Sequence, residues 1–409
     1  MKFINGTVFT EKDGFVEADL TVRDGRIISI DYRNGDAPRA ASGKNAGVTE
    51  SPSAETVGAP DASVSPKAAE AEEIVDLSGS YLLPGLVDLH FHGCAGYDFC
   101  DGTPEAFAAI EEYELSHGIT SLCPATMTYP EEKLTQILTA AAEYRKHSRY
   151  GAALLHGANL EGPFLSEAKK GAQNAAYLMK PDAEMVLRLQ QKSGNFARMI
   201  DIAPEVEGAM DCIHMLSRSM VVSIAHTTAD YDTACAAFDA GASHVTHFYN
   251  AMPPFTHRAP GVIGAAADKN AEAELICDGI HIHPSVIRAT FKLLGYDRMI
   301  LISDSMMATG MEDGQYSLGG QAVTVRGNEA RLADGTIAGS ATNLYDCMVN
   351  AIRFGVPAWQ AIRAASYNPA RSIGILDSYG SIREGKAADL LVTDRDYRLL
   401  RVYKGGEAV

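Results

Sequence analysis

Apolar runs of strand length recur through the middle of the chain, and stretches with helical periodicity lie between them. Each run joins aliphatic residues to a polar end, as in LVDLHFH and MILISDS, whereas PEAFAAIEEYELSHG has the spacing of a helix. Eight such runs lie at residues 86–92, 119–126, 153–161, 198–205, 221–227, 243–250, 274–281 and 299–305. Eight strand-then-helix units predict a (β/α)8 barrel of the TIM type over residues 85–376.

The same alternating strands and helices could instead form an open, doubly wound sheet. Such a sheet ordinarily carries a glycine-rich phosphate loop after its first strand. No such loop follows the run at 86–92, so the pattern favours the barrel.

At both ends of the chain, apolar and polar residues alternate over short stretches, as is typical of β-strands. ADLTVRDGRIISI contains the hairpin pair Asp24-Gly25, and strand-like alternation returns in the C-terminal segment. We expect residues 1–84 and 377–409 to form one small β-sandwich domain. Within it, residues 33–73 contain no Leu, Ile, Met or aromatic residue, and we expect a flexible insertion there.

The charge, hydropathy and cysteine content of the chain argue against several classes of protein. A net charge of −17 argues against nucleic-acid binding, and it requires an anionic substrate to be held by local positive groups. No apolar run approaches the ~18 residues of a membrane span, and the N-terminus lacks the apolar core of a signal peptide. Seven cysteines without a CxxC pair fit reduced thiols. We therefore expect a cytoplasmic protein that binds neither membranes nor nucleic acid.

Residues able to bind a metal lie at the polar ends of five of the eight runs. They are His90, His92, Glu161, His226, His247 and Asp304. Each alone has an ordinary explanation, since paired histidines arise by chance, acids cap helices and histidines occur in cores. In a barrel, however, the carboxyl ends of the strands meet on one face. The coincidence therefore predicts a site for one or two divalent ions, Zn²⁺ or Fe²⁺.

This ligand set predicts hydrolytic chemistry. A bound divalent ion lowers the pKa of a coordinated water and polarises a carbonyl group. A nearby carboxylate then takes the proton and passes it to the leaving nitrogen, and Asp304, at the end of the last run, suits that task. The chain has no GxSxG elbow, so we expect a metal-dependent amide hydrolase without a serine nucleophile.

Long motifs resemble the N-acetylglucosamine-6-phosphate deacetylases of the amidohydrolase superfamily. They are HFHG (90–93), LEGPF (160–164), IAHT (224–227), THFYNAMPPFTHRAPG (246–261), CDGIH (277–281), ISDSMMATG (302–310), SYNPAR (366–371) and GSIREGKAADLLV (380–392). The resemblance implies a barrel with a small β-sandwich domain formed by both termini. It also implies that Glu161 bridges two ions, one shared with His226 and His247, the other with His90, His92 and Asp304.

The resemblance further implies how an amino-sugar phosphate is bound. Asn250 and the backbone of Ala251 would approach the phosphate, as would His281. Arg258 would reach the phosphate from the neighbouring subunit of a homodimer. The ordinary alternatives are that Asn250 shapes a turn and that Arg258 is a surface charge.

One position departs from the family pattern. The stretch KKGAQN carries Gln173 at a place where the family usually has a histidine, which contacts the substrate near its acetyl carbonyl. Gln can donate a hydrogen bond but carries no positive charge. The change leaves open another N-acyl amino-sugar phosphate, such as N-acetylgalactosamine-6-phosphate, or a related amide. A non-catalytic sugar-phosphate binder is the third hypothesis, against which the complete ligand set argues.

Overall fold

The computed structural model describes residues 1–33, 73–147 and 151–409. Its strands in chain order are β1 (Lys2–Thr10), β2 (Gly14–Arg23), β3 (Arg26–Tyr32), β4 (Ile74–Asp76), β5 (Tyr81–Pro84), β6 (Leu86–Asp88), β7 (Gly93–Cys94), β8 (Tyr97–Asp98), β9 (Ile119–Leu122), β10 (Leu154–Leu155), β11 (Ala158–Leu160), β12 (Ala197–Ile202), β13 (Val221–Ile224), β14 (His244–Val245), β15 (Glu272–Ile276), β16 (Met299–Ile302), β17 (Gly314–Leu318), β18 (Gln321–Arg326), β19 (Glu329–Arg331), β20 (Ile337–Ser340), β21 (Leu390–Thr393), β22 (Leu399–Lys404) and β23 (Glu407–Ala408).

The α-helices are α1 (Pro104–Ser116), α2 (Glu131–Lys146), α3 (Ala183–Ser193), α4 (Ala209–Leu216), α5 (Tyr231–Ala240), α6 (Gly261–Asp268), α7 (Pro284–Leu294), α8 (Leu344–Arg353), α9 (Ala358–Ala365) and α10 (Tyr367–Ser372). Short 3-10 helices cover Phe99–Asp101, Glu167–Lys169 and Ala175–Tyr177. Among the described helices, none has the length and apolar character needed to cross a membrane.

Strands from both chain ends share one eight-stranded sheet. Its order is β23-β22-β21-β5-β1-β2-β3, and β4 pairs with β1. The sheet has its own apolar core, in which the rings of Phe3 and Tyr403 meet edge to face with their centroids 4.9 Å apart. The insertion predicted at residues 33–73 lies, apart from its two end residues, outside the described part of the chain.

The alternating runs form parallel strands in chain order. One parallel sheet has the order β10-β9-β6, and another runs from β11 through β16 in sequence. A parallel bridge between Ala125 and Asn159 joins the two sheets. Beyond the last strand, the N–H of Asp304 donates to the carbonyl of His90 over 2.9 Å, which brings the ends of the last and first runs together.

The structure differs from the sequence expectation in the length of the strands. We predicted His90 and His92 on a strand, but β6 ends at Asp88 and both histidines lie in the segment after it. The backbone there pairs with the segment after β16, and the N–H of His92 donates to the carbonyl of Ser305 over 2.7 Å. This pairing fixes the two histidines beside the residues that follow the last strand.

A four-stranded antiparallel sheet, β17 to β20, follows the last parallel strand and is not among the eight predicted runs. Its sequence carries hairpin signals, with Gly319-Gly320 and Gly327-Asn328 between alternating residues. The side chain of Gln321 donates to the carbonyl of Ala172 in the loop after β11. The sheet therefore reaches over the carboxyl ends of the parallel strands.

Candidate metal centre and substrate cavity

The six predicted metal ligands lie together beyond the carboxyl ends of the parallel strands. Glu161 directly follows β11, and His226, His247 and Asp304 each come two residues after a strand. All six are buried, with at most 7 % of any residue exposed. Short strands followed at once by a polar residue thus bring segments far apart in sequence to one place.

The ligand atoms form two groups that share Glu161. In the first group, Oε1 of Glu161 lies 2.8 Å from Nε2 of His226 and 3.2 Å from Nε2 of His247. In the second group, Nε2 of His92 lies 3.4 Å from Oδ1 of Asp304, and Nε2 of His90 lies 3.8 Å from the same oxygen. The other carboxylate oxygen of Glu161 lies 3.2 Å from Nε2 of His92. Glu161 therefore turns one oxygen toward each group.

Three of these residues have backbone conformations that non-glycine residues rarely adopt. The φ angles are 42° at His226, 29° at His247 and 49° at Asp304. Positive φ costs of order 1–3 kcal/mol per residue and persists where the surroundings enforce it, often at active sites. The chain therefore turns sharply after β13, β14 and β16 and aims each side chain at the shared centre.

A buried carboxylate that the sequence analysis did not single out, Glu274 on β15, orients two of the histidines. Nδ1 of His90 donates to Glu274 over 3.1 Å, and the N–H of His247 donates to the same side chain over 3.1 Å. The Glu274 side chain also lies 3.1 Å from Nε2 of His244. A carboxylate behind a ligating histidine fixes its tautomer and ring orientation. The available signal was an acidic residue directly before the aliphatic pair Leu275-Ile276 of the strand.

The donor set fits a divalent metal ion. Nε2 of His90 is buried and has no hydrogen-bond partner among the described residues. Nε2 of His226 and Nε2 of His247 face each other at 3.0 Å beside a carboxylate oxygen. Within each group the ligand atoms lie within 4.8 Å of one another. Imidazole and carboxylate groups that converge in this way suit a borderline cation such as Zn²⁺ or Fe²⁺.

Metal binding is expected to release protons from this site. Burial lowers the pKa of His92, but hydrogen bonds to Asp304 and Glu161 outweigh burial and raise it to about 10. A ligating imidazole must lose that proton, because metal and proton compete for the same nitrogen. The metal Kd should therefore fall about tenfold for each unit that the pH rises, for each proton displaced. Calorimetric titration of metal-free protein with Zn²⁺, in two buffers of different ionisation enthalpy, measures the proton count. Identical heats in both buffers would contradict the prediction.

A cavity of about 520 Å³ opens beside the metal ligands. Four of the five predicted substrate residues line it: Gln173, Asn250, Ala251 and His281. The fifth, Arg258, is exposed and is not among the described residues that line this cavity. The loop after β11 and the β17–β20 sheet form the remaining walls, with Lys169, Lys170, Leu318, Asp334 and Thr336 among their lining residues.

Gln173 contacts the metal-ligand cluster. Its Oε1 accepts a hydrogen bond of 2.7 Å from the N–H of Thr128. Its Nε2 donates over 2.8 Å to Oε2 of Glu161. The side chain is buried at 2 % exposure, so the amide has one fixed orientation. Gln173 thus holds the carboxylate that both ligand groups share.

Replacing Gln173 by Leu, which has a similar volume, should lower the affinity for metal about 10- to 100-fold, as loss of such a supporting hydrogen bond typically does. The matched control is Gln321→Leu, which removes a hydrogen bond to Ala172 in the same loop and leaves Glu161 untouched. Metal Kd values from competition with a chelator measure the effect. Equal Kd values for Gln173→Leu and the wild type would remove Gln173 from this role.

The predicted phosphate-side residues are partly committed to internal contacts. The Nδ2 amide of Asn250 donates to the carbonyls of His247 and Phe248 over 3.1 and 3.4 Å. Nδ1 of His281 lies 2.6 Å from a carboxylate oxygen of Asp278. Burial lowers the pKa of His281, but the hydrogen bond and charge of Asp278 outweigh burial and raise it. Asp278 therefore favours the protonated form of His281, which lines the cavity.

Comparisons with known proteins show which family this chain resembles. The family model described as "Amidohydrolase family" matches residues 81–409. The chain is 39% identical over 341 residues to the N-acetylglucosamine-6-phosphate deacetylase of Bacillus subtilis (strain 168), covering 82% of this chain and 86% of the relative. It is 33% identical over 337 residues to the N-acetylgalactosamine-6-phosphate deacetylase of Escherichia coli O157:H7, covering 82% of this chain and 89% of the relative.

One solved crystal structure is similar to this chain along its whole length. The crystal structure of N-acetylglucosamine-6-phosphate deacetylase from Pasteurella multocida superimposes with a TM-score of 0.85 at 28% identity, covering 100% of this chain and 99% of that one. The family resemblance predicted from the motifs is confirmed. With this match and the buried His, Glu and Asp ligands at the strand ends, the chain belongs to the amidohydrolase family.

Proposed function

We propose that the protein hydrolyses N-acetylglucosamine-6-phosphate to glucosamine-6-phosphate and acetate. The observation that carries this proposal is a single cavity lined by members of both ligand groups, Asp304 among them, and also by His281. The relatives named as deacetylases of this sugar phosphate support the same reaction.

His90, His92, Glu161, His226, His247 and Asp304 would hold one or two divalent ions, Zn²⁺ or Fe²⁺. An ion bound there supplies Lewis acidity, which polarises the acetyl carbonyl and acidifies water. The chain itself supplies the proton transfers. Burial raises the pKa of Asp304, but His92 and the neighbouring charge of His90 outweigh burial and lower it. Its carboxylate therefore starts ionised and can accept a proton.

Asp304 acts as general base and then as general acid. It takes a proton from the water whose oxygen attacks the acetyl carbon, and it gives that proton to the amine nitrogen as the C–N bond breaks. One water is consumed: its oxygen becomes part of the new carboxyl group, and the proton that Asp304 carries converts the leaving nitrogen into a neutral amine. The second proton of the water leaves with the acetic acid, which ionises to acetate in solution. The hydrogen bond from Gln173 to Glu161 keeps the shared carboxylate in place during these transfers.

The other end of the cavity would bind the phosphate. Ala251 and His281 line the cavity, and the side chain of Asn250 donates to the carbonyl of His247 within the turn that contains Ala251. We propose that Arg258 completes the site from the neighbouring subunit of a homodimer, because arginine binds phosphate in a bidentate manner. Gln173 lies against the metal-ligand side, where the acetyl group would lie.

We further propose that the parallel strands close into a (β/α)8 barrel over residues 85–376, with residues 1–84 and 377–409 as a small β-sandwich domain. The hydrogen bonds from Asp304 to His90 and from His92 to Ser305 support closure, since they join the last run to the first. All seven cysteines are free thiols, which suits a reducing cytoplasm.

A second substrate, N-acetylgalactosamine-6-phosphate, is favoured by the glutamine at position 173 and by the relative that carries that sugar's name. The two sugars differ in configuration at one hydroxyl, so the same ligand cluster can serve either. A non-catalytic sugar-phosphate binder is disfavoured because Asp304 and all five other ligands are present.

Acetate release from a panel of metal-loaded reactions tests these alternatives. The panel contains N-acetylglucosamine-6-phosphate, N-acetylgalactosamine-6-phosphate and unphosphorylated N-acetylglucosamine. We expect the highest kcat/KM with the first sugar. A higher value with the second would move the assignment to that sugar, and strong activity on the unphosphorylated sugar would remove the phosphate roles given to Arg258 and His281. No acetate from any of the three by metal-replete protein would overturn the deacetylase proposal.

A further inference from the structure

The cavity needs a positive charge that the predicted phosphate residues supply only in part. The chain carries a net charge of −17, and an anionic substrate must be attracted locally. Two lysines, Lys169 and Lys170, line the cavity, whereas no arginine does so among the described residues. The two neighbours differ in what their ammonium groups contact.

Lys169 connects the metal side of the cavity with the predicted phosphate side. Its backbone carbonyl accepts a hydrogen bond of 2.7 Å from Nδ1 of the metal-ligand candidate His226. Its Nζ donates over 3.3 Å to the carbonyl of Met252, which directly follows Asn250 and Ala251. The side chain thus extends from the loop after β11 to the turn after β14. An ammonium group has three N–H bonds, so two more remain for a ligand.

Lys170 has a different geometry. Its Nζ folds back on its own loop and donates to the carbonyls of Gly171 and Gln173 over 3.3 and 3.4 Å. It makes no contact of this kind with the turn at residues 250–252. Lys170 is therefore a matched comparison, with the same charge and the same cavity but a different direction.

The turn at residues 250–252 needs a charged donor from elsewhere. Both hydrogens of the Asn250 amide point at backbone carbonyls of its own turn, so this side chain offers a ligand only its oxygen. A carbonyl oxygen repels phosphate, whereas an ammonium group next to the same turn attracts it. Lys169 is the described lysine whose Nζ reaches this turn.

We propose that Lys169 is a specificity-determining residue that binds the phosphate of the sugar substrate from within the same chain. The proposal rests on the proposed function, because it assumes that an amino-sugar phosphate lies with its acetyl group at the ligand cluster and its phosphate at the 250–252 turn. Its backbone carbonyl keeps His226 in place whatever the side chain, so side-chain variants leave the metal ligands oriented.

The test compares Lys169→Met with Lys170→Met in metal-loaded protein. Loss of a charged hydrogen bond should raise KM for N-acetylglucosamine-6-phosphate about 10- to 100-fold in Lys169→Met, with kcat and metal content little changed. Lys170→Met should stay within about fivefold of the wild type. Lys169→Arg should recover part of the loss. Activity on unphosphorylated N-acetylglucosamine should be equal in all four proteins.

Direct binding separates failure of this proposal from failure of the proposed function. Calorimetry should show that the Kd for glucosamine-6-phosphate is about 10- to 100-fold higher in Lys169→Met than in the wild type, because a hydrogen bond from a charged group is lost. One outcome is that the wild type binds glucosamine-6-phosphate and Lys169→Met fails to bind it, while the wild type releases no acetate from N-acetylglucosamine-6-phosphate. In that case the role of Lys169 stands and the deacetylase proposal falls. The role of Lys169 is overturned if Lys169→Met binds glucosamine-6-phosphate with the wild-type affinity and has the wild-type KM. It is also overturned if the substitution lowers activity equally on the phosphorylated and the unphosphorylated sugar.

Discussion

Asp304→Asn should reduce acetate release from N-acetylglucosamine-6-phosphate by about 10²- to 10⁴-fold, the range that a general acid–base group contributes. The amide keeps the size of the carboxylate and an oxygen near His92, but it neither accepts nor returns a proton. Metal content should remain close to the wild-type value, because Glu161 and four histidines remain. Steady-state kinetics and elemental analysis on the same preparations measure both quantities.

The control for this substitution is Asp334→Asn. Asp334 lines the same cavity from the β17–β20 sheet, yet it is exposed and accepts a hydrogen bond from the N–H of Thr336 in its own turn. This variant should retain activity. If Asp304→Asn turned over substrate at the wild-type rate with its metal in place, another residue would have to be the proton carrier.

Glu161→Gln should have the largest effect on metal binding. The carboxylate lies 2.8 Å from His226 and 3.2 Å from both His247 and His92, so it faces both ligand groups at once. A neutral amide cannot neutralise a divalent ion, and its NH2 group would be directed at one group of ligands. We expect more than about a 100-fold loss of metal affinity, which exceeds the cost of removing a supporting residue. Activity should fall with it.

Glu167→Gln is the matched control, because Glu167 lines the same cavity but is exposed. Metal Kd by chelator competition and activity at saturating metal should both stay near wild type in that variant. A Glu161→Gln protein that held the wild-type complement of metal with unchanged affinity would show that Glu161 does not bridge the two groups.

The candidate metal ligands could be identified from the sequence, and the structure brings them together, because they follow a local rule. Each comes after a short apolar strand, and parallel strands bring their carboxyl ends to one face. Glu161 and His226 are 65 positions apart, yet their side-chain atoms meet at 2.8 Å. The rule needs only the strand and its end, both of which are visible in the residue pattern.

Other parts depend on contacts that no local pattern contains. The partner of Gln173 is Glu161, and the two meet only after the loop following β11 folds back. Glu274 is one of two glutamates on β15, and only the folded chain shows that three groups converge on its carboxylate. The direction of Lys169 differs from that of Lys170 although the two are adjacent in sequence. The β17–β20 sheet had hairpin signals, but its position over the cavity follows from tertiary packing.

The initial rate of acetate release from N-acetylglucosamine-6-phosphate, measured as metal-free protein is titrated with Zn²⁺ or Fe²⁺, tests whether hydrolysis depends on this metal site. Dependence of the hydrolysis on this site predicts no release without metal and a rate that rises with bound metal until the His, Glu and Asp groups are filled, at no more than two ions per chain. Full activity in metal-free protein, or metal-saturated protein that releases no acetate, would contradict it.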